Sequence, residues 1–140
     1  MLYIASMQNE KRFVQLEEIS SKLSLPKQFI GRILKTLAKE KALKSFKGPT
    51  GGFTINEEGL HLPLLKLLEI TDGNRLDNCV LKKKNCNLVH PCPVHDRFSA
   101  IRAELILVMT NTTIAQLVKG SQKDLIKTLS ELNAKSQKKL

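Results

Sequence analysis

The sequence lacks any apolar run that approaches the roughly 18 consecutive residues needed to span a membrane. Its first residues also lack the charged segment and apolar stretch of a secretory signal peptide. No internal repeat is visible along the chain. These absences predict a cytoplasmic protein that does not have a membrane as a partner.

The usual signatures of enzymes are missing as well. No nucleophile stands beside a candidate base, and there is neither a phosphate-binding loop nor a paired-carboxylate site. We therefore expect no catalytic activity. With 140 residues, of which 41% are hydrophobic, the chain can bury one core, so a single compact unit is expected.

Cysteine is scarce, and all three cysteines lie between positions 79 and 92. An odd number of cysteines in a chain without an export signal does not favour a disulfide framework. Together with His95 they form the pattern Cys79-x6-Cys86-x5-Cys92-x2-His95. Thiolate and imidazole ligands suit both zinc and iron-sulfur clusters.

The spacing of these ligands favours the cluster over zinc. Structural zinc sites usually contain paired ligands about two to four residues apart, and the loop has no Cys-x2-Cys pair. A wider and nearly even spacing suits a bulkier cluster. Zinc and three unrelated buried thiols remain as alternatives. His90, which stands between Val89 and Pro91, is predicted to be a loop histidine, and Lys82–Lys84 to form a solvated face.

The formal net charge of +10 is unevenly distributed. Residues 1–50 contain ten Lys and Arg against four acids, and the last twenty residues contain five against two. Residues 51–120 are nearly balanced, with eight against seven. An excess of positive charge at the front and in the tail suits a partner made of phosphates, although a solvated basic face gives the same composition.

Two helical patterns and a hairpin pattern fill the first part of the chain. Apolar residues repeat at helical spacing in residues 14–23 and again from Pro26 to Lys41. Ser24 is expected to cap the second helix, and Pro26 to occupy its first turn. Residues 43–46 and 53–55, joined by the glycine-rich segment 47–52, predict a β-hairpin. Two helices followed by a hairpin predict a winged helix-turn-helix.

The second helix and the wing carry the candidate DNA-binding residues. An α-helix fits the major groove, where Gln28 and Arg32 are placed to reach base edges, whereas lysines more naturally meet phosphates. Wing residues are placed to meet the backbone or a minor groove. The predicted DNA-binding set is Lys27, Gln28, Arg32, Lys35, Lys39, Lys44, Lys47 and Thr50.

The rest of the chain predicts helices on either side of the cysteine loop. One helix is expected within residues 56–73, entered near Pro63 and closed by Gly73. A long helix is expected from Asp96 to Thr110, then a short one, capped by Thr112 or Thr113 and closed by Gly120. The long helix has more apolar surface than a small domain can hide, which predicts a dimer interface formed by Phe98, Ile101, Leu105, Val108 and Met109.

These features together resemble the bacterial iron-sulfur transcription regulators that include IscR and the nitric-oxide-sensing repressor NsrR. The resemblance covers roughly residues 1–118. It rests on the segment 2–5, the helix pair 19–43, the glycine-rich wing 47–53 and the three cysteines with the long helix that follows. The family usually has about a dozen residues before the segment that matches Met1, so residues 2–7 are expected to be the end of a longer helix.

The resemblance implies a homodimer that reads a palindromic DNA operator. It also implies that the three cysteines hold iron, with His95 completing the site as in the IscR-like members. The first cysteine gap is six residues rather than the usual five, which leaves the cluster type open; 2Fe-2S is preferred and 4Fe-4S is the other possibility.

We therefore predict a mainly α fold with a β-hairpin wing and a long dimerisation helix. The expected segments are a DNA-binding domain (1–73), a cluster-binding loop (74–95), dimerisation helices (96–120) and a basic tail (121–140). The predicted function is a regulator, most simply a repressor, switched by an iron-sulfur cluster that senses redox state, nitric oxide or cluster supply. The alternatives are a winged-helix regulator with zinc or free thiols, and an iron-sulfur carrier that does not bind DNA.

Overall fold

The computed structural model describes residues 1–7, 13–73, 76, 78–82, 86–119, 127–128 and 131. Most of these residues are helical, and a two-stranded antiparallel hairpin follows the third helix. The helices are α1 (Leu2–Ser6), α2 (Leu16–Leu23), α3 (Lys27–Lys39), α4 (Glu57–His61), α5 (Leu64–Asp72), α6 (His95–Asn111) and α7 (Ile114–Lys119), and the strands are β1 (Lys44–Phe46) and β2 (Gly52–Thr54).

Helices α2 and α3 form the predicted helix-turn-helix, but the turn between them differs from the prediction. Ser24 does not cap α3; it ends α2 in a left-handed conformation with a φ of 51°. Pro26 is not in the first turn but immediately precedes α3, with a φ of −58° and a ψ of 125°. The proline ring fixes φ near this value, so the residue fits the boundary of the helix. Gly31 permits close packing, because a Cβ there would lie 3.2 Å from Leu16 Cδ2.

The wing hairpin pairs with a third segment, at Val14, that the sequence pattern did not predict. Strands β1 and β2 pair so that Ser45 faces Phe53. Val14 was expected in the first helix, yet it forms an antiparallel bridge with Phe53 through two 2.9 Å backbone hydrogen bonds. Gly52 is required at this crossing, because its φ is 159° and a Cβ would lie 2.5 Å from the Val14 carbonyl oxygen.

The segment between the wing and the cysteine loop contains two helices where one was predicted. The predicted helix after Pro63 is α5, which ends as expected at Gly73, a glycine with a φ of 68°. Helix α4 was not predicted. Asn56 caps it by accepting a 2.9 Å hydrogen bond from the Gly59 amide, because a short polar side chain satisfies an unpaired N–H group of the first turn.

Gly59 fits tightly against the buried Ala42, which allows a stability prediction. A Cβ at position 59 would lie 2.1 Å from the Ala42 carbonyl oxygen, so we expect Gly59→Ala to cost about 1–3 kcal/mol or more. Gly31→Ala is the matched control; its helical gain of up to about 1 kcal/mol offsets the displacement of the flexible Leu16 side chain. Urea unfolding monitored by circular dichroism would compare them, and equal midpoints would contradict the prediction.

One buried core contains residues from α1 through to α7. Helix α1 packs against α7, and Pro63 forms an isolated antiparallel bridge with Thr113. Thr113 caps α7 as predicted, because its Oγ1 accepts from the Gln116 amide while the Gln116 side chain accepts from the Thr113 amide. The buried core residues are Tyr3, Ile4, Ala5, Val14, Ile19, Leu34, Leu37, Ala42, Leu43, Phe53, Ile55, Leu67 and Ile114.

Helix α6 differs from the other long helices because none of its residues is buried. It begins at His95, one residue before the predicted start, and packs against α5. The predicted end of α7 at Gly120 lies outside the described residues, as does most of the predicted basic tail. Within the described ranges, no helix is long and apolar enough to cross a membrane.

Candidate functional site

The three cysteines converge on one point beside the first turn of α6. Their sulfur atoms all lie within 4.8 Å of one another. Cys79 Sγ is 3.8 Å from Cys92 Sγ, and Cys86 Sγ is 3.2 Å from His95 Nδ1. The fold therefore brings the three cysteines together and places His95, the fourth residue of the spacing pattern, next to Cys86.

Local backbone structure positions two of these residues. The His95 amide donates a 2.9 Å hydrogen bond to the Cys92 carbonyl oxygen, so a tight turn joins them. His95 is the first residue of α6, a helix of 17 residues. The positive end of the helix dipole favours negative charge at this end, which suits thiolate ligands.

The cysteine side chains line a small cavity with both polar and apolar walls. Its volume is about 20 Å³, which is close to the space that one water-sized sphere occupies. Cys92 is buried, whereas Cys79, Cys86 and His95 are half-buried. The remaining lining residues are Val80, Val94, Phe98 and Arg102.

The thiol of Cys86 is held in its protonated form more firmly than a free thiol. Loss of solvent raises the pKa of the Cys86 thiol, and hydrogen bonds with the sulfurs of Cys92 and Cys79 raise it further. A hydrogen bond from the Cys92 backbone acts in the opposite direction. A bound metal replaces these protons, so metal binding at this site releases protons.

The donor set fits two kinds of metal centre. Tetrahedral bonds of about 2.3 Å to sulfur place neighbouring sulfurs about 3.8 Å apart, which matches the 3.8 Å between Cys79 and Cys92. This pair therefore has the separation expected of two sulfurs bound to one tetrahedral ion. The four donors also form two close pairs, Cys79 with Cys92 and Cys86 with His95. Two pairs of ligands suit the two irons of a 2Fe-2S cluster.

Neighbouring polar residues of the loop contribute less to this cavity. His90 is exposed and its amide donates a 2.8 Å hydrogen bond to Asn87 Oδ1, within a bend of residues 87–90. It does not line the cavity formed by the cysteines. Lys82 is exposed, whereas the other two lysines of the predicted solvated face lie outside the described residues.

The predicted DNA-binding residues are all exposed, and four of the eight share one face of α3. Gln28, Arg32, Lys35 and Lys39 follow an i, i+4, i+7, i+11 spacing, which aligns them along one side of a helix. Lys27 lies away from this row, where its Nζ pairs with a Glu17 carboxylate of α2. That hydrogen bond lowers the pKa of Glu17.

The wing presents its own polar residues beside this helix face. Lys44, Lys47 and Thr50 are exposed. The wing tip turns at Gly48, whose φ of 116° favours glycine. Gln15 Nε2 donates a 3.0 Å hydrogen bond to the Pro49 carbonyl oxygen, which ties the tip to the start of α2.

A family model described as Rrf2, iron-dependent transcriptional regulator, matches residues 1–120. The chain belongs to this family. Rrf2 proteins are transcriptional regulators that bind DNA, which confirms the predictions that the protein is a transcriptional regulator and that it is not an enzyme. The iron dependence in the family description agrees with the close group of cysteine sulfurs.

Individual relatives agree with the Rrf2 assignment. A protein of Aquifex aeolicus named as an HTH-type transcriptional regulator is 28% identical over 120 residues, which cover 84% of this chain and 83% of the relative. CymR, the global cysteine regulator of B. subtilis, has a similar structure, with a TM-score of 0.68 and 17% identity over 86% of this chain and 88% of CymR.

A transcriptional regulator from Lactobacillus plantarum also shares the fold, with a TM-score of 0.59 and 18% identity. The alignment covers 98% of this chain and 97% of that regulator. The likeness to these structures confirms the predicted fold class, a mainly helical winged helix with a hairpin.

The Rrf2 chain has two exposed aromatic residues near the predicted DNA-binding residues that the sequence did not indicate. Phe29 of α3 is 55% exposed, and Phe46 of β1 is 53% exposed. The ring of Phe46 packs 4.2 Å from that of Phe13. The helical signal for Phe29 was ambiguous, because it lies four residues before Ile33 and so at the edge of the apolar stripe.

The long helix α6 carries the predicted dimerisation residues on an exposed apolar surface. Ile101 is 59% exposed, and Phe98, Leu105 and Val108 are also exposed, whereas Met109 is half-buried. Leu107, which was not in the predicted set, is also exposed. Among the residues that the structure describes, none covers this apolar surface, which the sequence predicts to pair with a second copy.

Proposed function

We propose that this Rrf2 protein is a DNA-binding repressor whose operator affinity is set by an iron-sulfur cluster bound to Cys79, Cys86, Cys92 and His95. The observation that carries the proposal is the convergence of three thiols within 4.8 Å, next to a histidine nitrogen. Soft thiolate ligands with one imidazole suit such a cluster, which supplies a charge that changes with redox state.

A 2Fe-2S cluster is the preferred form, since the two donor pairs provide two ligands for each iron. A 4Fe-4S cluster fits this pattern less directly. The second candidate is a single tetrahedral ion such as zinc. It is favoured by the 3.8 Å distance between the Cys79 and Cys92 sulfurs and by the cavity of about 20 Å³, and it would make the site structural rather than redox-active.

The location of the site suggests how it controls DNA binding. Two of its ligands, Cys92 and His95, are joined by the turn that begins α6. Any change in their arrangement is transmitted to α6, the proposed dimerisation helix. In a homodimer, α6 sets the separation of the two α3 helices that would read a palindromic operator. Two states that differ by a few kcal/mol are sufficient for this switch.

Within the row on α3, we propose that Arg32 reads a base and that Lys39 contacts a phosphate. We expect Arg32→Ala to weaken operator binding by about 1–3 kcal/mol, or roughly 5- to 150-fold, with little effect on random DNA. Lys39→Ala is expected to weaken binding to the operator and to random DNA alike. It should also reduce the slope of log affinity against log salt concentration by about one. Fluorescence anisotropy at several salt concentrations measures both effects, and an equal loss on both DNAs for Arg32→Ala would make Arg32 a phosphate contact.

The proposal is tested first on protein purified without oxygen. Visible absorption, with analysis of iron, sulfide and zinc, identifies the centre directly. Matching amounts of iron and sulfide support the cluster, and zinc alone supports the second candidate. Protein without metal, even after cluster reconstitution, would exclude both. Salt-dependent operator binding separates a regulator from an iron-sulfur carrier, since phosphate contacts make DNA affinity fall steeply with salt.

A further inference from the structure

Arg102 lies at the proposed metal centre without belonging to the predicted ligands. His95, Phe98 and Arg102 stand at positions i, i+3 and i+7 of α6, so they share one face of the helix. Arg102 lines the same cavity as the three cysteines. Its side chain is half-buried and reaches across this cavity toward the start of the loop.

The guanidinium of Arg102 fixes the backbone immediately before Cys79. Its Nη2 donates a 2.9 Å hydrogen bond to the Asn78 carbonyl oxygen, which is 24 positions away in the sequence. Cys92 and His95 are placed by a local turn, but Cys79 must be brought to them from the far side of the loop. The hydrogen bond from Arg102 connects the start of the loop to α6, and it holds the backbone beside Cys79 against that helix.

The charge of Arg102 acts in the same direction as its hydrogen bond. Three thiolates and a neutral imidazole around a divalent ion carry a net charge of −1, since three negative charges meet two positive ones. A guanidinium stays protonated at every working pH. Its attraction to this negative charge is stronger in a partly buried site than in water.

We propose that Arg102 is a positioning residue for the metal centre, which holds the Cys79 ligand on α6 and offsets the negative charge of the thiolates. This inference rests on the proposed metal-binding function. Outer-shell partners of metal ligands typically contribute 10- to 100-fold to metal affinity. Arg102 is itself a residue of α6. The loop is therefore attached to the proposed dimerisation helix at two points, through the turn that joins Cys92 to His95 and through the hydrogen bond from Arg102 to Asn78.

The first test measures binding of Co²⁺ and Zn²⁺ to the full chain, in competition with a chelator. Arg102→Met is expected to lower the affinity by about 10- to 100-fold. Arg102→Lys keeps the charge but loses the planar fork, so an intermediate loss is expected. Arg97→Met is the matched control, since Arg97 is exposed on the same helix and its side chain makes no hydrogen bond or ion pair with other described residues. Equal affinity of Arg102→Met and the unchanged protein would overturn the inference.

A second test needs no metal and reports on the position of Cys79 relative to Cys92. Diamide accepts two electrons and two protons when two thiols join, so it traps a disulfide between sulfurs that lie close together, as Cys79 and Cys92 do at 3.8 Å. We expect Arg102→Met to slow formation of this disulfide several-fold, as measured by peptide mapping. An unchanged rate, or a lower melting temperature with unchanged trapping and affinity, would mean that Arg102 only packs against the loop.

The two tests also separate this inference from the proposed function. If the unchanged protein binds no metal or cluster, the proposed function fails and the charge-offsetting role of Arg102 fails with it, while disulfide trapping still decides whether Arg102 positions Cys79. If the unchanged protein binds metal and Arg102→Met behaves identically in both tests, the inference about Arg102 fails by itself.

Discussion

Cys92→Ala is expected to abolish metal and cluster binding while the winged helix remains folded. Cys92 is the buried thiol of the group, and its sulfur lies 3.8 Å from that of Cys79. Its loss leaves at most three donors and opens the site to solvent, so the effect should exceed the 10- to 100-fold typical of outer-shell changes. Iron, sulfide and zinc analysis with visible absorption measures it.

The matched control for this prediction is His90→Ala. His90 lies in the same loop but does not line the cysteine cavity, so its replacement should leave metal content unchanged. Cys92 does not belong to the main core cluster, and the melting temperature of the metal-free variant should therefore stay close to that of the metal-free parent. Full metal content in Cys92→Ala would remove Cys92 from the ligand set.

Leu105→Glu is expected to separate the proposed dimer into monomers and to abolish tight operator binding. Leu105 lies on the exposed apolar surface of α6 beside Ile101 and Val108. A carboxylate buried between two such surfaces has no partner and is costly to desolvate. We expect the dimer dissociation constant to rise about 100-fold or more, which corresponds to roughly 3 kcal/mol. Sedimentation velocity over a concentration series measures this change.

Ala103→Glu provides the matched control on the same helix. Ala103 is exposed and stands two residues before Leu105, which places it on nearly the opposite side of a helix with 3.6 residues per turn. The same new charge at that position should leave the dimer intact. If both variants remain dimeric, the interface lies elsewhere than on the predicted surface of α6.

Features with a local cause could be predicted closely from the sequence. The apolar periodicity of residues 26–41 predicted α3 within about two residues, because its core side follows helical spacing. Turn chemistry predicted the wing, and Gly73 closed α5 as expected. Helix α4 was not predicted, because its five residues are too few to show a periodic apolar pattern. Its start depends instead on the cap formed by Asn56.

Val14 and Ser24 show why local patterns also misled. Val14 continues the apolar pattern of α2, yet it pairs with Phe53 because the wing offers unpaired backbone groups at that point. Ser24 is a good capping residue by type, but α2 ends there in a left-handed turn. Val14 could have continued the helix or paired with a strand, and Ser24 could have capped α3 or ended α2. In each case the local sequence allowed both roles, and the contacts of the folded backbone selected one.

By itself, the sequence determined the order of the helices and the wing, the basic row on α3 and the identity of the four candidate ligands, because periodicity, turn residues and donor chemistry are local properties. Only the tertiary structure decided that Cys79 lies 3.8 Å from Cys92, that Arg102 binds the Asn78 carbonyl and that Ile114 closes the core formed with α1. These contacts join residues far apart in the chain, and their free energy depends on burial and geometry that no spacing pattern contains.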